Sequence, residues 1–554
     1  MKHLQRNILF LLLTAVSAVA QPTISSVFPS TAARSARVLI QGSGFGTLQG
    51  SAHVSIGGIT APFTRWSDTL IAAYVPESAA IGLGNIQVID SGGAASNLVP
   101  QTVTARPGQS GQVRWRFQVD ADYVPTRPAV GSDGTVYASD SYGHLYAVDS
   151  TGGLKWIFNG SGANVSVGQD GTIYVGSTLN IFALNPNGTV KWQFNQNPGA
   201  FILLGPNVGP DGNIYAVGIE GLGVFSLTPQ GSLRWSLTER YDRPIVSYQE
   251  IVFATSPQPR LYFHADRHLR AVTLDGAEIF SYSDALVNAD SQPAVAADGS
   301  LYSNVSSTML GALDANGNLR WHLFDFSNVM STPDVGPDGT IYDGQNLSYL
   351  YGVNSNGNIR WQYADSGILN GPVVSPRNDL LMLGGLVTYG QPGFFATVST
   401  SGSLIWKEVL PVENGFNIWP MSRARFTPDG QTAYFGMSIA GQGDNPYAYL
   451  YSVQTAKVSV SLSSLTLDPT TVRGGSPSTG TITLSGPAPD GGMVVRLAST
   501  NPVIANVPSS ITVPAGLTSV TFTVHTRPVP RQMYATISAW SGSTLKRATL
   551  TVTP

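Results

Sequence analysis

The chain has 554 residues, 60 of them glycine and 36 proline, with only 11% charged and a formal net charge of −3. It contains no cysteine, which excludes disulfides, thiol chemistry and lipid attachment at a cleavage-site cysteine. Length predicts three or four domains, and a composition rich in turn formers and β-branched residues, without long runs at helical period, predicts an all-β chain of many short strands.

Residues 1–20 carry Lys2 and Arg6, then an apolar run from Ile8 to Ala15, and finish Ala18-Val19-Ala20. This is the pattern of a secretory signal, and the run is too short for a bilayer span of about 20 residues. The expectation is an exported chain without a transmembrane segment, starting near Gln21 and residing in the periplasm, at the cell surface or outside the cell.

Residues 21–105 read as a small β-sandwich: Pro22-Thr23-Ile24, Phe28-Pro29, V-L-I-Q-G-S-G-F-G from Val38 to Gly46, V-S-I-G-G from Val54 to Gly58, and V-I-D-S-G-G-A-A-S-N after Gln87. These segments resemble the IPT/TIG immunoglobulin-like domain. The glycine-rich G-S-G-F-G lacks both the following Lys-Ser/Thr and the helix start that a phosphate loop needs, so it reads as a turn.

Residues 110–455 are a repeat. A glycine is followed four residues later by a large aromatic at Trp115, Trp156, Trp192, Trp235, Phe280, Trp321, Trp361 and Trp406, and successive aromatics differ by 41, 36, 43, 45, 41, 40 and 45 residues. Units of this length cannot bury an apolar face alone and stack on neighbours. Each unit also carries an Asp-Gly turn leading to a tyrosine strand, as at Asp133-Gly134 to Tyr137, and an alternating L-x-A-V strand such as His144 to Val148. Two units, around Tyr262 and Leu381, keep the strand but lack the Asp-Gly pair. Four antiparallel strands per unit is the content of a propeller blade. Because the first aromatic strand precedes any complete unit and the last unit lacks one, the strand at Trp115 is expected to complete the last blade of an eight-bladed ring, removing an open sheet edge.

The frame P-A-V-x-x-D-G-T-V-Y followed by L-Y-A-V-D-x-x-G-x-L-x-W resembles the quinoprotein-type (PQQ-like) β-propeller repeat. That resemblance implies that the glycines and the eight aromatics form docking girdles between blades. In its enzymes it also implies a quinone at the channel mouth with Ca2+ held by Glu, Asn and Asp, and in the alcohol-oxidising branch adjacent cysteines. This chain has neither the cysteines nor an insertion able to cover a cofactor, so no cofactor and no metal is expected.

Residues 457–554 give another sandwich, with strands at Val458–Leu462, 478–484, 494–497, 519–524, 535–540 and 548–552; its Leu467-Asp468-Pro469 and Val513-Pro514-Ala515-Gly516 resemble bacterial Ig-like modules. The fold class is thus all-β, an eight-bladed propeller flanked by two immunoglobulin-like sandwiches.

Charge is uneven: 17 Lys+Arg against 28 Asp+Glu over residues 110–456, and 7 against 2 over 457–554. An acidic ring is a poor partner for nucleic acid, whose phosphates need clustered cations. His264 and His268 in H-A-D-R-H are one close pair without a third zinc ligand and read as solvated turn residues. Asp120 and Asp122 lack the alternating ligands of a calcium loop. A small ligand, if bound, is expected where innermost strands begin, at Arg127, Asn164, Asp290, Gln292, Thr332, Asn370 and Arg423. The leading reading is a monomeric, exported, non-enzymatic binding or scaffold protein recognising a protein or cell-surface carbohydrate. Its rivals are a quinone-dependent sugar or alcohol dehydrogenase and an outer-membrane assembly scaffold.

Overall fold

The structure is a computed structural model. It describes residues 21–554 except 107–111, 122–123, 125, 161–163, 178, 196–201, 219–222, 238–250, 266–267, 284–291, 307–308, 324–331, 346–348, 366–370, 386–392, 410–417, 420–421, 440–446, 457–459, 487, 489–491, 515–516 and 543. The proposed signal, Asp122, Asp290 and Asn370 therefore lie outside the described residues, as does the side chain of Trp419. Every regular element described is a strand, and two compact units divide the chain, Met1–Ala105 and Arg106–Pro554.

In the first unit, alternating Val and Ile place one face of each strand inward. A four-stranded sheet orders Thr23–Phe28, Arg37–Ser43, Leu70–Tyr74 and Phe63–Trp66, and a second sheet joins Thr31–Ala33, Val99–Thr104, Gly82–Ile89, His53–Ile56 and Ile59–Thr60. Val38, Ile40, Ile56, Ile71, Ile86 and Val88 are fully buried between them. The G-S-G-F-G segment closes on protein: the Gly46 amide donates to Asp68 Oδ1 at 3.0 Å, and a Cβ on Gly42 would lie 2.0 Å from the Thr23 carbonyl oxygen.

In the second unit, seven four-stranded antiparallel meanders follow one another over residues 129–159, 165–194, 202–237, 252–282, 294–323, 334–364 and 373–409. An eighth sheet joins Ile418–Trp419, Arg425–Phe426, Thr432–Ile439 and Tyr447–Gln454 to Val113–Val119 from the start of the unit, with Phe117 opposite Leu450. First strands of successive sheets pack side by side, as Ala129–Val130 does with Val165–Val167. This is a β-propeller. Strands two and three are buried on both faces, for example Val136–Ser139 and His144–Val148, which is why they read as near-continuous apolar runs. In the seventh sheet Met382, opposite Val373, takes the place that tyrosine holds elsewhere, such as Tyr342 opposite Asp334.

Beyond residue 460 two more sheets share one core, with Ile482, Val495, Val524, Ile537 and Val552 buried between them. The first of these strands differs from the sequence reading. It runs Leu462–Asp468, not Val458–Leu462, and Val458 is outside the described residues. A bulge between Leu462 and Ser464 resets the alternation so that Leu462, Leu465 and Leu467 all face inward, and a strict period of two misses that extra residue.

Candidate functional site

The repeated aromatics sit at the seams between sheets. Trp192, on the last strand of the second sheet, packs against Tyr174 of its own sheet with ring centroids 5.8 Å apart and planes tilted by 45°. Its Nε1 donates across the seam to the Pro229 carbonyl at 2.9 Å, in the hairpin of the third sheet. Two residues later Gly231 has φ 86°, and a Cβ there would lie 2.8 Å from the indole. Only glycine both takes that left-handed turn conformation cheaply and leaves room for the ring. The same indole-to-carbonyl bond recurs from Trp115 to Ser150, Trp156 to Pro186, Trp235 to Leu274, Trp321 to Ser355, Trp361 to Thr400 and Trp406 to Thr455, all at 2.8–3.0 Å. Trp115 and Trp406 are buried, and the other aromatics of the set are partly exposed.

The seam from the fourth to the fifth sheet is built otherwise. Phe280 packs on Gly317 but has no N–H to give. Arg260, 2% exposed, supplies it: its Nη1 donates to the Ala315 carbonyl at 2.6 Å, the carbonyl an indole would have reached. Arg260 occupies the place that Thr135, Thr172, Ser300 and Thr340 hold in the other sheets, just before the apolar-tyrosine pair. A cation at that position, two residues before Tyr262, was the available sequence signal.

The ring axis carries two polar features. Where innermost strands begin, Arg423 of the eighth sheet reaches the fifth and sixth: its Nη1 is 3.3 Å from Gln292 Oε1, and its Nη2 is 3.7 Å from Asp334 Oδ1. Asp334 also accepts the amides of Val335 and Val374, the latter at 2.8 Å from the seventh sheet. Thr332 is half-buried, with Gly371 of the seventh sheet pressed against its backbone, and Asn164 is 3% exposed. The structure thus brings Arg423 and Gln292 together, while Asn164 and Thr332 stand on separate sheets.

Along the same innermost strands lies a cavity of about 340 Å³. Val295, Val335, Val374, Ser375 and Phe426 line it, with Arg127 and Arg425 as its charged residues. Arg127 Nε donates to the Ala424 carbonyl at 2.9 Å and Arg425 Nε to the Pro128 carbonyl at 3.4 Å, a reciprocal clasp between the eighth and first sheets. The sequence reading named Arg127, which stands just ahead of the strand Ala129–Val130, and passed over Arg425 and Asp334. Arg425 stands opposite Tyr434, at the place held by Asp334 in the sixth sheet and by Ala, Ser, Asn or Val in the others.

The remaining candidates resolve as structure. His264 is a correction: it is 1% exposed on strand Arg260–Ala265, with Nε2 3.2 Å from Ser303 Oγ of the fifth sheet, and burial holds its pKa down at about 4. The strand runs on through His264 to Ala265, so His264 enters a seam; His268 opens the next strand, partly buried. Asp120 is fully buried and its amide donates to the Tyr146 hydroxyl, which in turn donates to Asp140 beside His144 Nδ1. In the Asp-Gly turns, burial opposes the charge of Asp133. The Thr135 hydroxyl and amide and the Lys155 ammonium outweigh it and hold the carboxyl down at about 2. Among the described residues no three metal-ligating side chains gather. The quinone–calcium pair does not fit the axis either: the cavity lining holds no carboxylate, and Asp334 is committed to two amides and Arg423.

Comparison with known proteins places these features. The IPT/TIG domain family matches residues 22–105, and the family described as outer membrane protein assembly factor BamB matches residues 100–257. A cyclomaltodextrin glucanotransferase of Bacillus sp. (strain 17-1) is 28% identical over 184 residues, 33% of this chain and 24% of the enzyme, so the chain spans about a quarter of that relative. Among solved structures, BamB from Moraxella catarrhalis is 16% identical with a TM-score of 0.45, covering 61% of this chain and 96% of its own. The Dos1 propeller is 12% identical with a TM-score of 0.44, covering 63% and 96%. Among the described residues no helix is long and apolar enough to cross a membrane.

Proposed function

We propose that this chain is an exported, non-enzymatic binding scaffold: an eight-bladed propeller over residues 110–455 that presents its rim to a protein partner, with a TIG domain over 21–105 and an immunoglobulin-like module over 457–554 as accessory sandwiches. One observation carries the reading. Among the described residues the axis is bridged by Arg423, Gln292 and Asp334 and lined by Val295, Val335, Val374, Ser375, Phe426 and two arginines; its carboxylate, Asp334, is held by two amides and Arg423, and its hydroxyl, Ser375, donates to Asp379, so the two do not form a base–nucleophile pair. What remains for function is a rigid platform and its loops.

The rim residues proposed for recognition are Asn164, Thr332 and Arg423, with Asp290 and Asn370. The match of residues 100–257 to an assembly factor favours a protein partner over the cell-surface carbohydrate that is the alternative. The test is to express the full chain with and without residues 1–20 and fractionate the cells, then cross-link the exported form and identify what co-purifies. Export that depends on residues 1–20, and a cross-linked partner lost on Arg423→Ala, support the reading. Turnover of an alcohol or sugar after addition of quinone and Ca2+ would overturn it.

A further inference from the structure

We propose that the outward face of the five-stranded sheet in the C-terminal sandwich binds a polysaccharide bearing spaced carboxylates, a uronate-containing chain, with arginines on the carboxylates and aromatic rings against the sugars. This goes beyond the platform reading, which leaves that module accessory, and it involves none of the rim residues.

Alternation builds the face. The sheet orders Thr471–Arg473, Thr544–Thr553, Met533–Ser541, Met493–Ser499 and Ser510–Val513. Ala535, Ile537 and Ala539 point into the shared core, so Tyr534, Thr536, Ser538 and Trp540 stand on the opposite side. Register then fixes their neighbours. Arg496 and Leu545 flank Trp540, Arg547 stands opposite Ser538, and Thr549 stands opposite Thr536. At the Tyr534 end Arg473 lies opposite Thr553. All three arginines are exposed, Tyr534 is 60% exposed, and Trp540 is partly exposed.

Charge and spacing choose the occupant. No acid stands on any of the five strands, and residues 457–554 carry 7 Lys+Arg against 2 Asp+Glu, so the face attracts anions. Among the described residues the guanidiniums of Arg496 and Arg547 have no ion pair or hydrogen bond, which leaves two planar forks for incoming carboxylates. These cations are far apart: their strands flank Met533–Ser541 on either side, so their backbones are separated by roughly 10 Å. A nucleic-acid strand, with a phosphate every ~3.4 Å, calls for clustered cations instead. A sugar chain presents isolated carboxylates with hydroxyls between them, and the centre of the face answers with Thr536, Ser538 and Thr549, each able to donate and accept. A protein interface would have an apolar centre there. The aromatics stand at the two ends of their strand, each with an apolar ring for the face of a sugar and a polar tip for its hydroxyls.

The test uses the full chain in affinity electrophoresis with four probes: polygalacturonate, its fully methyl-esterified form, poly-L-glutamate and single-stranded DNA. Polygalacturonate is expected to bind, and each of the other three to bind at least about ten-fold more weakly. Arg496→Gln combined with Arg547→Gln, both at exposed positions, is expected to weaken polygalacturonate binding about ten-fold or more, and Trp540→Ala to weaken it by a similar factor. Equal binding of the ester would remove the carboxylate from the account, equal binding of poly-L-glutamate would make the face a site for acidic protein, and equal binding of DNA would make it a general polyanion surface. Each of these outcomes overturns the proposal, as does no binding of polygalacturonate at low salt or unchanged binding by the double arginine variant. The probe comparisons on the unmodified protein decide it even if Trp540→Ala fails to fold. Cross-linking of the protein partner is a separate readout, so loss of one reading leaves the other standing.

Discussion

The seam between the second and third sheets and the seam between the fourth and fifth close with different atoms. In the first, one residue does everything: the Trp192 ring covers Gly231 and its N–H reaches the Pro229 carbonyl. In the second the two duties are divided, with Phe280 covering Gly317 and Arg260, from another strand, reaching Ala315. The difference teaches that what a seam requires is a satisfied turn carbonyl and a filled gap over the glycine. A repeat signature records only the commonest way to meet those two needs.

The sharpest test of that comparison removes the aromatic from a buried seam and from the divided one. Trp406→Ala takes away a nearly buried ring and the bond to Thr455, and is expected to cost about 3–5 kcal/mol. Phe280→Ala, on a partly exposed ring that makes no such bond, is expected to cost clearly less. Urea unfolding of the two variants compares them directly, and equal losses would break the account.

Next in size, Arg260→Ala orphans the Ala315 carbonyl, with an expected cost of about 1–3 kcal/mol. Thr172→Ala, the same position in an ordinary sheet, removes bonds to Asp170 and Lys191 that stay within its own sheet and is expected to cost about 1 kcal/mol. Phe280→Trp sharpens this further. Alone it is expected to change stability by under about 1 kcal/mol, because the Ala315 carbonyl already has its donor; in the Arg260→Ala background it should restore about 1 kcal/mol. A thermal-melt double-mutant cycle showing no coupling would falsify the division of labour.

The smallest effect concerns the Asp-Gly turns, which the fourth and seventh sheets lack. The Asp133 carboxyl is held at about 2 in the folded chain against 3.8 ordinarily, so its contribution is present above about pH 4 and lost as pH falls towards 2. Its partner Lys155 is well exposed, so solvent screens much of the gain. Asp133→Asn is expected to flatten the loss of stability between pH 5 and pH 3 slightly, read as a smaller shift in the urea midpoint.

Much of the architecture was legible because the repeat is local. The L-x-A-V strand predicted at His144 to Val148 is the strand His144–Val148, and the Asp-Gly pair at Asp133 forms the turn its side chain suggested. The site was legible only in fragments. Arg127, Gln292 and Arg423 stood out as polar residues ahead of apolar strands, but which of them meet depends on where distant sheets fall around the ring. His264 was misplaced on a turn because its strand outlasts the tyrosine by three residues, and nothing in H-A-D-R-H marks that end.

By itself the sequence determined the strand content, the turn chemistry and the spacing of the glycine–aromatic pairs, since each is set by residues within a few positions of one another. Tertiary structure decided the pairing. Gly231 lies four residues from Trp235 in the sequence yet receives Trp192, and Val113–Val119 lies beside Tyr447–Gln454 from the far end of the repeat. The reason is geometric: an aromatic on the last strand of a sheet points at the next sheet's hairpin, and only the closing of the ring brings Arg127 beside Arg425 and Arg423 within reach of Asp334.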